Sequence, residues 1–316
     1  MTARYFESAP ERIPDIDTLV DVLIFEVTQH FKLAKNSFLY GMIDRFAQVP
    51  AKRFARVMQW FDQAVADSSI WEAAKMALLE LTKGLEVKGL KKVPCDGPLL
   101  VVANHPGSAD SVAAMAAIER PDQSMVVIER PMLLAMPNFS RHMIYVDEDN
   151  PQRFSLIKNV IQKLKEGQTV ITFPRGNLEP DPSLIPGAID SVNNWSESIG
   201  LFLSRVPDTM VQPLLISDVL VPRAWNSALA RRAKSVKVRQ QITMVLQIAM
   251  QQLFPKSNWK IPIKVTATEC IAARELSGSL DPHEMYHALT DYIKDQIGLA
   301  FPDQIEPGFQ VNPGTR

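Results

Sequence analysis

The sequence predicts an α/β protein with a mostly parallel sheet flanked by helices, preceded by an N-terminal helical subdomain. Three observations lead there. From Ile16 to Leu81 apolar residues recur at helical spacing with no strand signal between them. From Leu85 onward short apolar runs alternate with longer amphipathic stretches, as strands joined by crossover helices do. The chain has 316 residues, 46% hydrophobic and 22% charged, which is material for one large domain with a smaller companion.

In the first region, Leu19, Leu23, Val27 and Phe31 repeat every four residues, and Phe54, Val57, Met58, Phe61 and Val65 every three or four. Three or four helices fit this pattern. Ser69 with Glu72 reads as a capping box that opens a helix over 70–81. Gly84 ends the unit, so the helical subdomain is assigned to residues 1–83, the α/β domain to 84–300 and a tail to 301–316. Leu85 to Leu90 alternates like a strand, and Pro94-Cys-Asp-Gly-Pro98 is turn chemistry. The remaining expected strands are Leu99–Ala103, Met125–Ile128, Met143–Val146, Thr169–Phe173, Met210–Ile216 and Ile261–Ala267. Helices are expected over Ser111–Glu119, Arg153–Lys165, Ile189–Ser204, Asn226–Leu253 and Asp281–Ile297. Phe301 to Arg316, rich in Pro and Gly, reads as a loosely held tail.

Composition excludes several classes. A formal net charge of −1 gives no general attraction to nucleic acid. Cys95 and Cys270 are far apart and have no Cys or His at metal-ligand spacing, so a reduced, cytoplasmic chain without a metal is expected. Residues 1–14 lack the apolar segment of a secretory signal. No run approaches the roughly 18 uninterrupted apolar residues of a membrane span. The best, Leu19 to Phe31, is broken by Asp21 and Glu26, so any membrane contact is expected to be peripheral.

The segment Asn104-His-Pro-Gly-Ser-Ala-Asp110 directly follows the apolar run 99–103. A strand that ends in a polar turn leaves its last side chains at the mouth of the sheet, where α/β folds place their chemistry. His105 is of the type that serves as a general base near neutral pH, and Asp110, in reach through the turn, is its usual orienting partner. A histidine that only fills the turn or caps the next helix is the plainer alternative. A second segment, Phe173-Pro-Arg-Gly-Asn-Leu-Glu179, follows another strand and a helix stop at Glu166-Gly167. Arg175 beside the flexible Gly176 offers a charged fork that suits phosphate or carboxylate, or is simply a surface arginine in a turn.

The two segments together resemble the glycerolipid acyltransferase family, which includes glycerol-3-phosphate and lysophosphatidic acid acyltransferases. His-x4-Asp is its first block and Phe-Pro-x-Gly, some seventy residues later, its third. Ile144-Tyr-Val-Asp147 resembles the second and Val211-Gln-Pro-Leu-Leu-Ile216 the fourth, so the likeness covers about Leu85 to Ser217. It implies acyl transfer from acyl-CoA or acyl carrier protein to a glycerol-phosphate or lysophospholipid hydroxyl, with no further cofactor. It also implies catalytic roles for His105 and Asp110 and substrate contacts from Asn104, Arg175, Gly176 and Asn177. The acceptor alcohol is then the nucleophile, and backbone amides after His105 or near Gly176 would steady the oxyanion. Two departures bear on the acceptor. The family's third block is commonly Phe-Pro-Glu-Gly-Thr-Arg, whereas this chain has Arg175 at the Glu position and Leu178 at the Arg position. The basic residue usual after the second-block aspartate is Glu148. Losing a charge-assisted hydrogen bond typically costs about 1.5–3 kcal/mol. Either Arg175 takes over phosphate binding, or the acceptor is an amino-acid lipid, glycolipid or other alcohol. A lipid-binding relative without turnover is the non-enzymatic alternative.

Between Asp218 and Glu269 there is no acidic residue, while Arg223, Arg231, Arg232, Lys234, Lys237, Arg239, Lys256, Lys260 and Lys264 are basic. Val238, Ile242, Val245, Leu246, Ala249, Met250 and Leu253 fall on one helical face. This is either a core-facing helix with a solvated basic end or a dock, through 223–254, for an anionic membrane at its inner face or for acidic acyl carrier protein. Trp225 is either an interfacial anchor or core.

Overall fold

A computed structural model describes residues 10–33, 37–90, 93–146 and 153–304. The chain opens with α1 (Ile16–His30), α2 (Phe38–Asp67) and α3 (Ile70–Leu81). The capping box is present, with Ser69 accepting from the Glu72 N–H and Glu72 reaching back to the Ser69 N–H. The sheet strands are β1 (Leu85–Lys88), β2 (Leu99–Ala103), β3 (Gln123–Ile128), β4 (Met143–Val146), β5 (Thr169–Thr172), β6 (Met210–Ser217), β7 (Ile263–Ala267) and β8 (Ile271–Ala272). Their order is β1-β7-β6-β2-β5-β3-β4, with β8 paired to β6. Neighbours are parallel except where β6 meets β7 and β8. The α/β class with a mostly parallel, helix-flanked sheet therefore holds.

Between the strands lie α4 (Asp110–Ala117), α5 (Pro131–Leu134), α6 (Pro137–Ser140), α7 (Arg153–Lys165), α8 (Ala188–Ser191) and α9 (Ser198–Arg205). After β6 come α10 (Pro222–Trp225), α11 (Ala228–Arg231) and α12 (Val236–Leu253), and after β8 α13 (Ala273–Ser277) and α14 (Pro282–Ala300).

All five residues of β2 are buried, and the two-residue period of a strand divides them between two cores. Leu99, Val101 and Ala103 join a cluster with Leu19, Met58, Phe61, Ile70, Leu78 and Met115. Leu100 and Val102 face the opposite cluster of Leu164, Phe202, Leu203, Leu289 and Ile293. Each such side chain contributes roughly 1.5–3 kcal/mol when fully buried. The N-terminal helices share the first core with the sheet, so the boundary at residue 83 separates helices from strands in sequence but not in packing. Two carboxylates, Glu26 half-buried and Asp62 buried, extend that junction: Glu26 accepts the Met132 N–H, and Asp62 accepts the N–H groups of Asn138 and Phe139.

Three expectations are corrected. The helix expected over 189–204 is interrupted, because Trp195 takes an extended conformation and sends its indole N–H to Glu179. The one expected over 226–253 is divided, because Ser227 and Ser235 each cap a new start by accepting from Ala230 and Val238. The tail expected from Phe301 begins docked: Gln304 is buried, accepts from the Ala188 N–H and donates to Pro182 and Ile185. Residues 305–316 lie outside the described part.

Candidate active site

β2 ends at Ala103, and the next side chain fastens it to its neighbour. Asn104 Nδ2 donates to the Ile216 carbonyl at 2.8 Å and Oδ1 accepts the Ile216 N–H at 2.7 Å. Both ends of this buried carboxamide belong to the β2–β6 seam. Asn104, expected to contact substrate, acts here as a structural brace.

His105 follows, side chain 29% exposed, with Nδ1 2.9 Å from Asp110 Oδ2. Asp110 is the first residue of α4 and fully buried, and the same oxygen accepts the Gly107 N–H at 2.7 Å. One carboxylate oxygen thus fixes both the imidazole and the turn that carries it, while Oδ1 has no hydrogen-bond partner among the described residues. The Phe173 ring lies against the imidazole at 4.9 Å between centroids. Burial alone would lower the His105 pKa, but the charge and hydrogen bond of Asp110 and the charge of Glu179 outweigh it, and the net shift is upward. The turn packs tightly. A Cβ on Gly107 would stand 2.7 Å from Val219 Cγ1, so glycine is required there by space.

The second segment crosses the same mouth of the sheet. Arg175 donates through Nη1 to the Leu178 carbonyl at 2.6 Å, folding over its own loop, and its buried Nε has no hydrogen-bond partner among the described residues. Gly176 is left-handed (φ 66°) and exposed. Asn177 is exposed and accepts from Lys237 Nζ at 3.4 Å. The second-block residues Asp147 and Glu148 lie outside the described residues. Of the backbone amides considered for the oxyanion, Gly107 N–H goes to Asp110 and Gly176 N–H to the Phe173 carbonyl, and His105's own N–H goes to Glu179. The next N–H groups along the first turn are those of Ser108 and Ala109.

The sequence reading gave Glu179 and the glutamines of α12 no role. The buried residues of α12 are Gln240, Thr243, Gln247, Gln251 and Gln252, while the apolar stripe is only half-buried, with Leu246 and Met250 packed on Val221, Ala224 and Trp259, so the more deeply buried face is the polar one. The physical reason is that the helix lies across loops whose backbone groups need partners. Gln240 Nε2 donates to the carbonyls of Pro106 and Glu179, Gln247 donates to Val219 and accepts from Val221 N–H, and Gln251 donates to Trp259. Positions 240, 243, 247 and 251 form a polar stripe at helical spacing, the one signal that could have revealed this face.

Trp225 is core, 8% exposed, packed with Ile185 and Leu220, which settles it against an interfacial anchor. Two basic residues of the region are committed to tryptophans: Arg239 stacks 3.9 Å over Trp225, and Arg223 lies 4.9 Å over Trp259. Lys264 bridges to Asp218 and Lys260 donates to the Glu80 carbonyl. Arg231, Arg232, Lys234, Lys237 and Lys256 remain exposed, among the exposed apolar residues Leu229, Val236 and Phe254. No helix among the described residues is long and apolar enough to cross a membrane.

Fold and site together define an α/β protein with a His–Asp pair at the exit of a central parallel strand. Residues 84–217, the stretch from β1 to β6 that holds all four sequence blocks, match the family model described as Acyltransferase. The family recognised from those blocks is thus the one found in the same stretch. Among solved structures, the chain is similar to the 1-acyl-sn-glycerophosphate (LPA) acyltransferase PlsC from Thermotoga maritima. That match has 15% identity and a TM-score of 0.40, and covers 91% of this chain and 98% of the other. No curated protein matches the sequence.

Proposed function

We propose that this acyltransferase moves a fatty acyl group from the thioester of acyl-CoA or acyl carrier protein to a hydroxyl of a glycerol-phosphate or lysophospholipid acceptor. The observation that carries the reading is the 2.9 Å contact between His105 Nδ1 and the buried carboxylate of Asp110. A carboxylate only accepts, so the proton of a neutral His105 sits on Nδ1 and the Nε2 lone pair is free to act as base. Nε2 takes the hydroxyl proton as the acceptor oxygen attacks the thioester carbonyl. The tetrahedral intermediate collapses, the C–S bond breaks, and the imidazolium returns the proton to the departing thiolate. Asp110 holds the tautomer and steadies the charged ring between these steps, as the carboxylate of a hydrolase triad does. No protein nucleophile and no covalent acyl-enzyme are required.

Arg175, Gly176, Asn177 and Lys237 line the same mouth and are assigned to the acceptor headgroup. With Leu178 where the family commonly has arginine and Arg175 Nη1 bonded to its own loop, an acceptor other than a phosphomonoester is the second reading. The exposed basic and apolar residues within 223–254 are assigned to peripheral contact with the anionic inner face of the cytoplasmic membrane, at about 1 kcal/mol for each basic residue near the surface. Incubation with labelled acyl donor and a total lipid extract tests the function. One lipid class should gain label, and His105→Ala should lower the rate about 10²–10⁴-fold. Wild-type turnover by that variant would refute His105 as the base, and a protein that labels nothing would be a binding relative.

A further inference from the structure

We infer that Glu179 is a positioning residue for His105, holding the backbone of the base from both sides and presenting a buried negative charge to its ring. Glu179 Oε2 accepts the His105 N–H at 2.9 Å, and the Glu179 N–H donates to the His105 carbonyl at 2.7 Å. Both main-chain groups of the base are therefore bonded to one residue seventy-four positions away.

The clamp is itself anchored. Glu179 is 1% exposed, and its other oxygen accepts from Ser191 Oγ and Trp195 Nε1, each at 2.8 Å. Trp195 is tied in turn to α14, where Tyr286 Oη donates to its carbonyl at 3.0 Å. Gln240 joins the Glu179 and Pro106 carbonyls from the opposite side. Burial pushes the Glu179 carboxyl pKa upward, and the donors of Trp195, Ser191 and the His105 N–H work against that. These three donors are a set that the ionised form satisfies completely, whereas a neutral acid would bring a proton of its own. A glutamine cannot replace it without loss. Its oxygen can serve either Trp195 or His105, and its NH2 then faces the donor left over. The facing groups on packed elements are the His105 imidazole, Asp110 behind that ring, and the neutral donors of Ser191 and Trp195.

The kinetic arm of the test rests on the proposed acyl transfer; the spectroscopic arm does not. In full-length protein labelled with ¹³C,¹⁵N-histidine, the His105 ring is assigned by its loss in His105→Gln and titrated by NMR. Glu179→Gln should lower the His105 pKa, speed exchange of the His105 amide hydrogen, move the acid limb of kcat to lower pH and reduce kcat by about 10²-fold. KM should change much less. Glu179→Asp keeps the charge on a shorter arm, so it should leave the titration raised while kcat falls. If Glu179→Gln does not fold, Ser191→Ala, which leaves the carboxylate two of its three donors, should show faster His105 amide exchange. A folded Glu179→Gln protein with unchanged His105 titration and amide exchange would overturn the inference, as would unchanged exchange in Ser191→Ala. A wild-type protein that labels no lipid would instead refute the acyl-transfer reading, and wild-type turnover by His105→Ala would refute His105 as the base, while the NMR result decides the clamp.

Discussion

The tightest contact in the catalytic turn gives a quantitative test of how that turn is held. In Gly107→Ala the new methyl would lie 2.7 Å from Val219 Cγ1, against the 3.4 Å at which ordinary contact begins. Val219 cannot retreat freely, because its N–H is bonded to Asp181 Oδ2 at 2.8 Å and its carbonyl to Gln247 Nε2 at 3.0 Å. The alternative is for residues 105–108 to shift, and they carry the base. Overpacking of this kind costs about 1–3 kcal/mol, and a displacement approaching 1 Å at a reacting group lowers turnover roughly 10²-fold. Val219→Ala alone removes two carbons, worth about 1.5 kcal/mol at 0.8 per methylene. It also opens the space that the new methyl needs. Urea unfolding of both single variants and the double should therefore give a favourable coupling of about 0.5–3 kcal/mol, with part of the acyl-transfer rate restored in the double variant. Additive losses, or a Gly107→Ala protein with wild-type stability and rate, would refute the close packing as the reason for glycine.

Two other outcomes are expected. Asn104→Ala should lower stability by about 1–3 kcal/mol through the orphaned Ile216 N–H and carbonyl, with acceptor KM unchanged; a KM effect without destabilisation would restore Asn104 as a substrate contact. Because the His105 pKa is raised in the folded state, its contribution to stability is fully present below about pH 6.5 and lost as pH rises through the folded value. His30 shifts the opposite way, through burial and the charges of Arg130 and Lys237, and opposes this only below about pH 6.5. Thermal unfolding should therefore occur at a higher temperature at pH 6.5 than at pH 8.5, and His105→Gln should flatten that difference; an unchanged slope would place its source elsewhere.

Where local chemistry decides structure, the sequence was informative. The bounds of β2, β4 and α7 and the Ser69 capping box follow from short-range pattern, and His105 and Asp110 are brought together because only one tight turn separates them. Bonds spanning long stretches of chain were not legible. Nothing local to Glu179 says that it meets His105, and the 134-residue separation between Gln240 and Pro106 has no sequence signature. Hydrophobic periodicity misled in α12 because it assumes that a helix buries oil. Short helices such as α5 and α6, four residues each and begun by proline, are too brief to show a period.

The buried polar face of α12 changes what an improving mutation would look like. Replacing a buried polar residue by leucine is neutral or stabilising only where its partner is replaced as well, and Gln240, Gln247 and Gln251 look like targets for such an exchange. Here each exchange would remove the hydrogen-bond donor that the carbonyls of Pro106, Glu179, Val219 or Trp259 accept from. The added apolar surface would come with unmatched loop backbone, and at Gln240 with a loosened base, so a more hydrophobic α12 is a route to a worse enzyme.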